Sequence, residues 1–408
     1  MRTMAERADV AIIGGGIMGT SLAFALTQRG VRDVVVVERG TLAAGASGRT
    51  GALLRQHYSN VPEATLAHLS LKIFANWADE IGGDCGFERT GSIITVSTSG
   101  EDAVNVERMR RNVAMQNRLG IRSEVIDAAR LRELQPFTVA DDVAAAVYES
   151  DSGYVDAVAA TRGMGEAAVR GGARVLEGRA ATGIIVEAGR VAGVATDAGP
   201  IAAGAVVCAA GAWSVPLLTA IGIAVPIEAQ RVQVAVLARP LEMPAAGTMC
   251  YVDTAAGFFC RDAGPGRTLA GVGGGEFHDI VDPFAYDGRI DPSFGQAVKA
   301  SLARRMPAMA RATLLQGHAC LYDMTPDTHP ILGGVEGLNG LYLALGFSGA
   351  GFKKGPAIGR CLAEQIVDGR ARTVDLTPFR LSRFADDGWR APWSPDEYSF
   401  STDFGHGF

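Results

Sequence analysis

The amino-acid sequence predicts an α/β fold of two lobes, with a second, β-rich lobe inserted into the first. Residues 10–38 carry the pattern strand, glycine turn, helix, strand. Two further apolar runs end in glycines, at 206–211 and at 340–351, and the second leads into a helix pattern. Such alternation of strands and helices is typical of a parallel sheet. Strand patterns dominate between 230 and 290, so the β-rich pieces lie between the pieces of the parallel sheet.

The first glycine turn has the spacing Gly14-x-Gly16-x-x-Gly19 and leads into an apolar helix predicted from Thr20. Gly14 allows a tight turn, Gly16 lets the backbone approach a pyrophosphate, and Gly19 lets the helix pack on the strand. The next apolar run ends in Glu38, which is placed to accept the hydroxyls of an adenosine ribose. The pattern predicts a Rossmann-like dinucleotide site at the helix N-terminus. The alternative is a structural turn that binds no nucleotide.

Apolar spacing and turn residues predict the other elements in chain order. Helical spacing is clear where Leu66, Leu69, Ile73 and Trp77 recur, and a hairpin turn is expected at Ala188-Gly189. The predicted helices are 63–80, 101–119, 155–171, 293–305 and 356–367, and the predicted strands are 91–97, several within 173–208, 232–237, 257–260, 268–272 and the run from 340.

Composition restricts the class of protein. The chain has 408 residues, 48% hydrophobic and 20% charged, with mean hydropathy +0.15, as in globular proteins with sizeable cores. A net charge of −6 without a basic run argues against nucleic-acid binding. No apolar run reaches about eighteen residues and no signal-peptide core precedes the first strand, so we expect no membrane span and a cytoplasmic protein. The six cysteines lack metal-ligand spacing, which indicates a reducing compartment and no metal site.

Four segments of the chain form a specific combination: the glycine turn, Ser47-Gly48-Arg49, Ala209-Ala210-Gly211-Ala212-Trp213, and Gly346-Phe347-Ser348-Gly349-Ala350-Gly351-Phe352-Lys353. Together they resemble the D-amino acid oxidase superfamily of FAD-dependent amine oxidoreductases. The closest likeness is to sarcosine oxidases, both the monomeric enzymes and the β subunit of the heterotetrameric ones. The resemblance covers the chain up to a C-terminal tail.

The resemblance implies an α/β, Rossmann-like FAD-binding domain of the glutathione-reductase type beside an α+β substrate domain with a mixed β-sheet. The division that we predict gives 1–80, 146–222 and 322–384 to the FAD-binding domain, 81–145 and 223–321 to the substrate domain, and 385–408 to the tail.

FAD is the cofactor that the resemblance implies. Reduced flavin is electron-rich, so it favours N–H donors and positive charge near its pyrimidine end, which the glycine loop 346–352 and the following helix would supply. The alternative is an ordinary strand-to-helix turn. The expected FAD-binding residues are Gly14, Gly16, Ile17, Met18, Gly19, Glu38, Arg39, Ser47, Gly48, Arg49, Ala181, Ala210, Gly211, Trp213, Cys320, Gly346, Phe347, Gly349, Gly351, Phe352 and Lys353.

Arg55 and Lys353 are the candidates for binding a substrate carboxylate. By motif position, Arg55 matches the arginine after the flavin loop in sarcosine oxidases, and Lys353 matches the lysine that ends their glycine motif. Two cations on one carboxylate would position the substrate Cα–H over the flavin. The alternative is solvated surface charge, and Lys354 could replace Lys353 if the register differs by one residue.

His57 and Tyr58 follow in the same loop as Arg55. Tyr58 falls where the family often has a tyrosine that lines the pocket. His57 could accept the proton of an incoming ammonium, because only a neutral amine has a lone pair to assist hydride loss. It could equally be a hydrogen-bonded loop histidine.

Cys320 occupies the place where monomeric sarcosine oxidases carry a cysteine linked through a thioether to the flavin. Covalent attachment of FAD through Cys320 and a small buried residue are the two alternatives. Two positions depart from the family pattern. The lysine that activates oxygen in monomeric sarcosine oxidases falls near Leu269, and their glycine-motif histidine is replaced by Ala350. These departures put fast oxidase activity in doubt and suggest a roomier pocket for a substrate other than sarcosine.

We therefore predict an enzyme that oxidises the C–N bond of a small amino acid or N-alkyl amino acid by hydride transfer to FAD. The imine that forms would be hydrolysed by water. Electrons would pass to oxygen or to another acceptor. The alternatives are a D-amino-acid or 2-hydroxy-acid dehydrogenase of the same fold and a non-catalytic flavoprotein subunit. A homo-oligomer and a partner subunit both remain open.

Overall fold

The structure is a computed structural model that describes residues 6–98, 102–273, 277, 279–386 and 393–397. Of the predicted tail, 385–386 and 393–397 belong to this part, and the other tail residues lie outside it.

The described residues form strands and helices whose bounds follow in chain order. The strands are β1 (Glu6–Ile13), β2 (Val34–Val37), β3 (Leu53–Leu54), β4 (Ser92–Ser97), β5 (Ser123–Ile126), β6 (Val143–Glu149), β7 (Gly153–Tyr154), β8 (Arg174–Leu176), β9 (Ala181–Glu187), β10 (Arg190–Thr196), β11 (Ile201–Cys208), β12 (Glu228–Ala238), β13 (Cys250–Asp253), β14 (Phe258–Asp262), β15 (Arg267–Val272), β16 (Asp279–Ile280), β17 (Thr313–Met324), β18 (Ile331–Gly334) and β19 (Leu341–Leu345). The α-helices are α1 (Ile17–Gln28), α2 (Val61–Ala75), α3 (Trp77–Glu80), α4 (Asp102–Arg118), α5 (Ala128–Leu134), α6 (Ala157–Arg170), α7 (Ser214–Thr219), α8 (Phe294–Arg305) and α9 (Gly355–Asp368).

The first sheet has the strand order β18-β19-β11-β1-β2-β8, with β9 and β10 joined to β11 as an antiparallel extension. The strands from β8 to β19 in this order are parallel, and β18 is antiparallel at the edge. β2 consists of four valines, all buried, because β-branched side chains suit a strand covered on both faces. Helices α1, α6 and α9 pack on one face through a core that includes Leu22, Met164 and Ile358.

The second sheet has the order β16-β12-β15-β14-β13-β4-β6-β5, and β17 pairs with β12 over its whole length. The pair of β13 and β4 is parallel, and the other pairs are antiparallel. Helix α8 covers this sheet through a core that includes Phe258, Phe294 and Leu302. The two sheets confirm the predicted fold class, a Rossmann-like α/β domain beside a domain with a mixed sheet.

The predicted elements match the structure well at the termini and less well in the middle. The hairpin turn at Ala188-Gly189 is confirmed, with φ values of 48° and 76° that suit a two-residue turn. Helix α1 begins at Ile17, not at Thr20, because Gly16 already caps the helix. Two long strands of the second sheet, β6 and β17, were not predicted.

We keep the division into domains as a proposal with two boundaries moved. Strands of the first sheet lie within 6–37, 174–208 and 331–345, and strands of the second lie within 92–149 and 228–324. Since β6 continues to Glu149 and β17 to Met324, the boundaries placed after 145 and 321 fall a few residues later. Within the described residues, no helix is both long and apolar enough to span a bilayer.

Candidate active site

The glycine turn lies at the carboxyl end of β1, where the backbone leaves no room for side chains. A Cβ on Gly14, whose φ is +110°, would lie 2.6 Å from the carbonyl oxygen of Ala209, and one on Gly19 would lie 2.0 Å from that of Gly14. Side chains at these positions would displace β11 or α1. Gly16 caps α1, and the N–H groups of a first helical turn have no acceptor within the helix. The turn therefore offers an anion-binding helix N-terminus.

Glu38, directly after β2, is fixed beside this turn. Its Oε2 accepts a hydrogen bond from the N–H of Gly15 at 2.7 Å, and its Oε1 accepts one from the N–H of Gly40 at 2.8 Å. Ser47 accepts a bond from the N–H of Ile17 at 3.0 Å through its Oγ. The bonds from Gly15 and Gly40 orient the Glu38 carboxylate at the place where the sequence predicts the adenosine ribose.

A cavity of about 570 Å³ opens from the glycine turn towards the second sheet. It extends from Glu38 to Cys320 and Gly351. Predicted FAD-binding residues that line it are Gly14, Gly16, Ile17, Met18, Glu38, Arg39, Ser47, Arg49, Ala181, Ala210, Gly211, Trp213, Cys320, Phe347, Gly349, Gly351 and Phe352. The side chains and backbone of these residues fit FAD, because a bare glycine turn, a helix N-terminus and an acid meet at one end of a long apolar cavity.

Four predicted FAD-binding residues, Gly19, Gly48, Gly346 and Lys353, are not part of the cavity lining. Gly19 and Gly48 serve close packing, since a Cβ on Gly48 would lie 2.2 Å from the carbonyl oxygen of Ala43. The N–H of Gly346, which the sequence predicted as a donor to flavin, has a partner within the protein. It donates to Oδ2 of Asp323 at 2.7 Å, and the N–H of Ser348 donates to the carbonyl oxygen of Asp323 at 3.1 Å. These two N–H groups therefore hold β17 and are not donors to flavin.

The glycine loop is shaped by the ring of Tyr322. A Cβ on Gly349, where φ is +77°, would lie 2.6 Å from this ring. Tyr322 lines the large cavity and also a small one of about 20 Å³ beside it. The walls of the small cavity include Val232, Val234 and Phe259, so it is mainly apolar. Tyr322 thus marks the junction between the cofactor cavity and the second sheet.

Arg55 and Tyr58 lie together outside the lining of both cavities, and Tyr58 packs in one apolar cluster with Ala350 of the glycine loop. The guanidinium carbon of Arg55 lies 4.7 Å from the centroid of the Tyr58 ring, and Nη1 of Arg55 donates to the carbonyl oxygen of His57 at 2.6 Å. Both side chains are buried. Among the residues that the structure describes, none forms a hydrogen bond with the buried Tyr58 hydroxyl. A buried hydroxyl of this kind costs roughly 1–3 kcal/mol unless a ligand satisfies it.

Lys354 and Lys353, side by side in the chain, have different surroundings. Nζ of Lys354 bonds Oε1 of Glu63 at 2.5 Å, so its charge is already paired. Burial lowers the pKa of Lys353 well below its usual value, and the charges of Arg55 and Lys354 lower it further. Lys353 is therefore the better of the two candidates for a substrate group, although Arg55 and Lys353 remain predictions in their catalytic role.

His57 lies outside the cavity lining, in a buried position. Its Nδ1 lies 3.0 Å from Nε2 of Gln116, which also donates to the carbonyl oxygen of Tyr58 at 2.9 Å. Burial and the charge of Arg55 lower the pKa of His57 to about 3. This is the arrangement of the hydrogen-bonded loop histidine, with Nδ1 of His57 engaged by Gln116 and the side chain outside the cavity lining.

Cys320 lines both cavities from β17 and pairs with Val232 of β12. Burial raises the pKa of its thiol to about 12. A protonated thiol at the cofactor cavity is compatible with either alternative, so covalent attachment stays a prediction.

Two aromatic residues of the second domain, Phe284 and Tyr286, also line the large cavity and were not predicted. They lie in an irregular loop, where no sequence pattern indicates a ligand contact.

Comparison with known proteins settles the family. Residues 9–365 match the profile of the FAD dependent oxidoreductase (DAO) family. The chain belongs to this family. FAD is therefore its cofactor, as the resemblance in sequence implied.

Proteins with sequences similar to this chain have different names. The mitochondrial pyruvate dehydrogenase phosphatase regulatory subunit of Mus musculus is 29% identical over 89% of this chain and 42% of its own length. The mitochondrial sarcosine dehydrogenase of Mus musculus is 28% identical over 92% of this chain and 41% of its own length. The chain thus spans about two fifths of these two relatives. The solved structure of L-proline dehydrogenase from P. horikoshii is 27% identical, with a TM-score of 0.84 over 94% of this chain and 99% of that one.

Proposed function

We propose that the protein oxidises the C–N bond of a small amino acid or N-alkyl amino acid. The observation that carries the proposal is the buried Tyr58, whose hydroxyl makes no hydrogen bond to the described residues and whose ring centroid lies 4.7 Å from the guanidinium carbon of Arg55. A substrate carboxylate would accept hydrogen bonds from both groups, and a charge-assisted bond from an arginine is among the stronger contacts in proteins. The relatives named for sarcosine and L-proline dehydrogenation support this substrate class.

In the proposed reaction, the residues of this chain bind and orient the substrate. FAD, when bound, supplies the acceptor for the hydride that leaves the carbon beside nitrogen. Arg55 and Tyr58 would fix the carboxylate and thereby the reacting C–H bond. The imine product would then be hydrolysed by water to a carbonyl compound and an amine.

Lys353 is the group that we propose as the acceptor of the substrate's ammonium proton. Burial and the charges of Arg55 and Lys354 lower the pKa of Lys353, which shifts Nζ towards the neutral amine, and the charge of a bound carboxylate would favour its protonation. Proton transfer from the substrate ammonium to Nζ of Lys353 would leave the substrate amine with the lone pair that hydride loss requires. This role replaces the one considered for His57.

The small cavity beside Tyr322 supports a compact, apolar substituent on the substrate. Its volume of about 20 Å³ and its Val232, Val234 and Phe259 walls suit a methyl group or a short side chain. Arg49, Thr50 and Gln233 are polar residues of this wall, and Gln233 exchanges hydrogen bonds of 2.7 Å with Asp291. Its amide is therefore engaged away from the substrate.

Anaerobic bleaching of the visible flavin band tests the proposal. The wild type should be bleached by one class within a panel of N-methyl, cyclic and D-amino acids. Arg55→Ala should raise the half-saturating concentration on the order of tenfold to a hundredfold. The control is Arg289→Ala, since Arg289 forms an exposed ion pair with Asp287. Admitting air then separates an oxidase from a dehydrogenase. Bleaching that is unchanged in Arg55→Ala would contradict the carboxylate site.

A non-catalytic flavoprotein is the second candidate, because one relative is named as a regulatory subunit. It predicts bound FAD that no amine or 2-hydroxy acid bleaches. Bleaching by 2-hydroxy acids alone would instead favour the hydroxy-acid dehydrogenase alternative.

We also propose a reducing, cytoplasmic compartment, because all six cysteines are buried free thiols.

A further inference from the structure

We propose that Phe284, on a loop of the second domain, covers the adenosine end of bound FAD. The loop follows β16 and runs over residues 281–293 to the start of α8. Phe284 and Tyr286 of this loop line the cofactor cavity. The proposal rests on the family's cofactor and not on the proposed C–N chemistry.

The loop lacks regular structure, but its far end is anchored to β12. The guanidinium of Arg231 donates through Nε to the carbonyl oxygen of Asp287 at 2.9 Å and through Nη2 to that of Arg289 at 2.6 Å. Arg231 also forms an ion pair with Asp291 at 3.0 Å. The carbonyl oxygen of Gly288 accepts a bond from the N–H of Ala319 at 2.8 Å. These bonds fix the loop next to the cavity without any contribution from a ligand.

The near end of the loop is joined to the FAD-binding domain. Nε1 of Trp213, directly after β11, donates to the carbonyl oxygen of Pro283 at 2.8 Å. The guanidinium carbon of Arg39 lies 4.5 Å from the Trp213 ring centroid and 5.7 Å from that of Phe284. One arginine thus contacts an aromatic ring of each domain.

The position of Arg39 identifies the part of the cofactor concerned. Arg39 follows Glu38, whose carboxylate is oriented for the adenosine ribose. Phe284 is 62% exposed and lines the cavity, so much of its apolar surface is open to a ligand. A flat adenine favours stacking on aromatic and guanidinium planes. Adenine at this end of the cavity would cover apolar surface of Phe284 that water now contacts.

Titration of the apoprotein with FAD tests the proposal, with flavin fluorescence as the readout. Phe284→Ala should raise the Kd for FAD about tenfold, as expected for the loss of one base-stacking contact. Phe284→Trp should keep the wild-type Kd. The matched control is Leu241→Ala, which removes a fully exposed side chain elsewhere in the second domain and should change nothing.

FMN, which lacks the adenosine, locates the contact. Phe284→Ala should leave the Kd for FMN unchanged. A Kd for FAD within twofold of the wild type in Phe284→Ala would overturn the proposal. An equal loss of FMN affinity would overturn the assignment to the adenosine end. A lower melting temperature of the Phe284→Ala apoprotein with unchanged FAD affinity would show a structural role only.

Discussion

Nδ1 of His329 lies 2.7 Å from Oε2 of Glu63, in a buried network that joins four segments of the chain. Oε1 of Glu63 bonds Lys354, and Nε2 of His329 lies 3.0 Å from Oε1 of Glu397 in the C-terminal segment. Asn60, the N-cap of α2, also donates to Glu63 at 2.9 Å. The network lies beneath the Tyr58 ring, because Nζ of Lys354 is 4.8 Å from its centroid.

The charge of His329 should make stability depend on pH. Burial alone would lower its pKa, but the charge of Glu63 and hydrogen bonds to Glu397 and Glu63 raise the pKa to about 9 from 6.5. The folded state therefore keeps the proton longer than the unfolded state. Protonated His329 stabilises the folded state by on the order of 3 kcal/mol. This stabilisation is complete below pH 6.5 and is lost as the pH rises through 9. In urea unfolding, His329→Asn should be less stable than the wild type at pH 6, and the difference should shrink by pH 9.5. A constant difference would contradict this assignment.

Glu397, in the tail segment, should account for part of the raised pKa of His329. Glu397→Gln keeps an oxygen acceptor but removes the negative charge beside Nε2 of His329. We expect the pKa of His329, followed by NMR of its imidazole, to fall by about one unit. Asp396→Asn is the control in the same segment, since Asp396 pairs with Arg111 at 2.6 Å and not with His329. Equal shifts in both variants would mean that the segment has detached.

Gly349→Ala should disturb the site more than backbone strain alone predicts. Both Gly349 and Gly369 have a φ of 77°, but a Cβ on Gly369 would meet nothing within 4 Å, whereas one on Gly349 would meet the Tyr322 ring. Gly369→Ala should cost about 1 kcal/mol of unfolding free energy. Gly349→Ala should cost about 2–3 kcal/mol and shift the visible flavin spectrum. Identical costs with unshifted spectra would show that the ring of Tyr322 yields freely.

Asp323 should destabilise the folded protein above pH 6. Burial raises its pKa to about 6, although hydrogen bonds from backbone N–H groups such as that of Gly346 oppose the shift. The protonated carboxyl of Asp323 therefore stabilises the folded state. This stabilisation is complete below pH 3.8 and is lost as the pH rises through 6. Asp323→Asn should be more stable than the wild type at pH 8, by roughly 1–2 kcal/mol because the cavity leaves the carboxyl partly hydrated. Thermal unfolding at pH 4.5 and 8 measures this, and a gain that is equal at both values would exclude titration as its cause.

The glycine turn and Glu38 could be predicted because their signals are local. A strand, a turn and a helix within thirty residues specify their own geometry, and the cavity contains Gly14, Gly16 and Glu38 together. The resemblance in sequence extended this to Cys320 and the glycine loop, of which Phe347, Gly349, Gly351 and Phe352 line the same cavity. These parts of the site could be predicted because their residues are neighbours in the chain or belong to one long sequence motif.

The other parts of the site depend on contacts between distant segments. Glu63, His329 and Glu397 come from three regions of the chain, so no periodicity indicates that they meet. Phe284 lies in an irregular loop whose position depends on Arg231. The strand β6 contains three alanines, which have weak strand preference, and pairing with β4 on one side and β5 on the other decides its conformation.

The parallel pairing of β4 with β13 has a consequence for synthesis of the chain. Ser92 pairs with Cys250, so this edge of β4 lacks its partner while the ribosome adds the intervening residues. At about 5–20 residues per second, the delay is on the order of ten seconds or more. β4 is buried along its whole length in the final fold, and its nascent edge is therefore a place where chaperones or sister chains compete with β13. The yield of this protein in an expression host should therefore depend on keeping the unpaired edge of β4 from binding other chains until residue 253 has emerged from the ribosome.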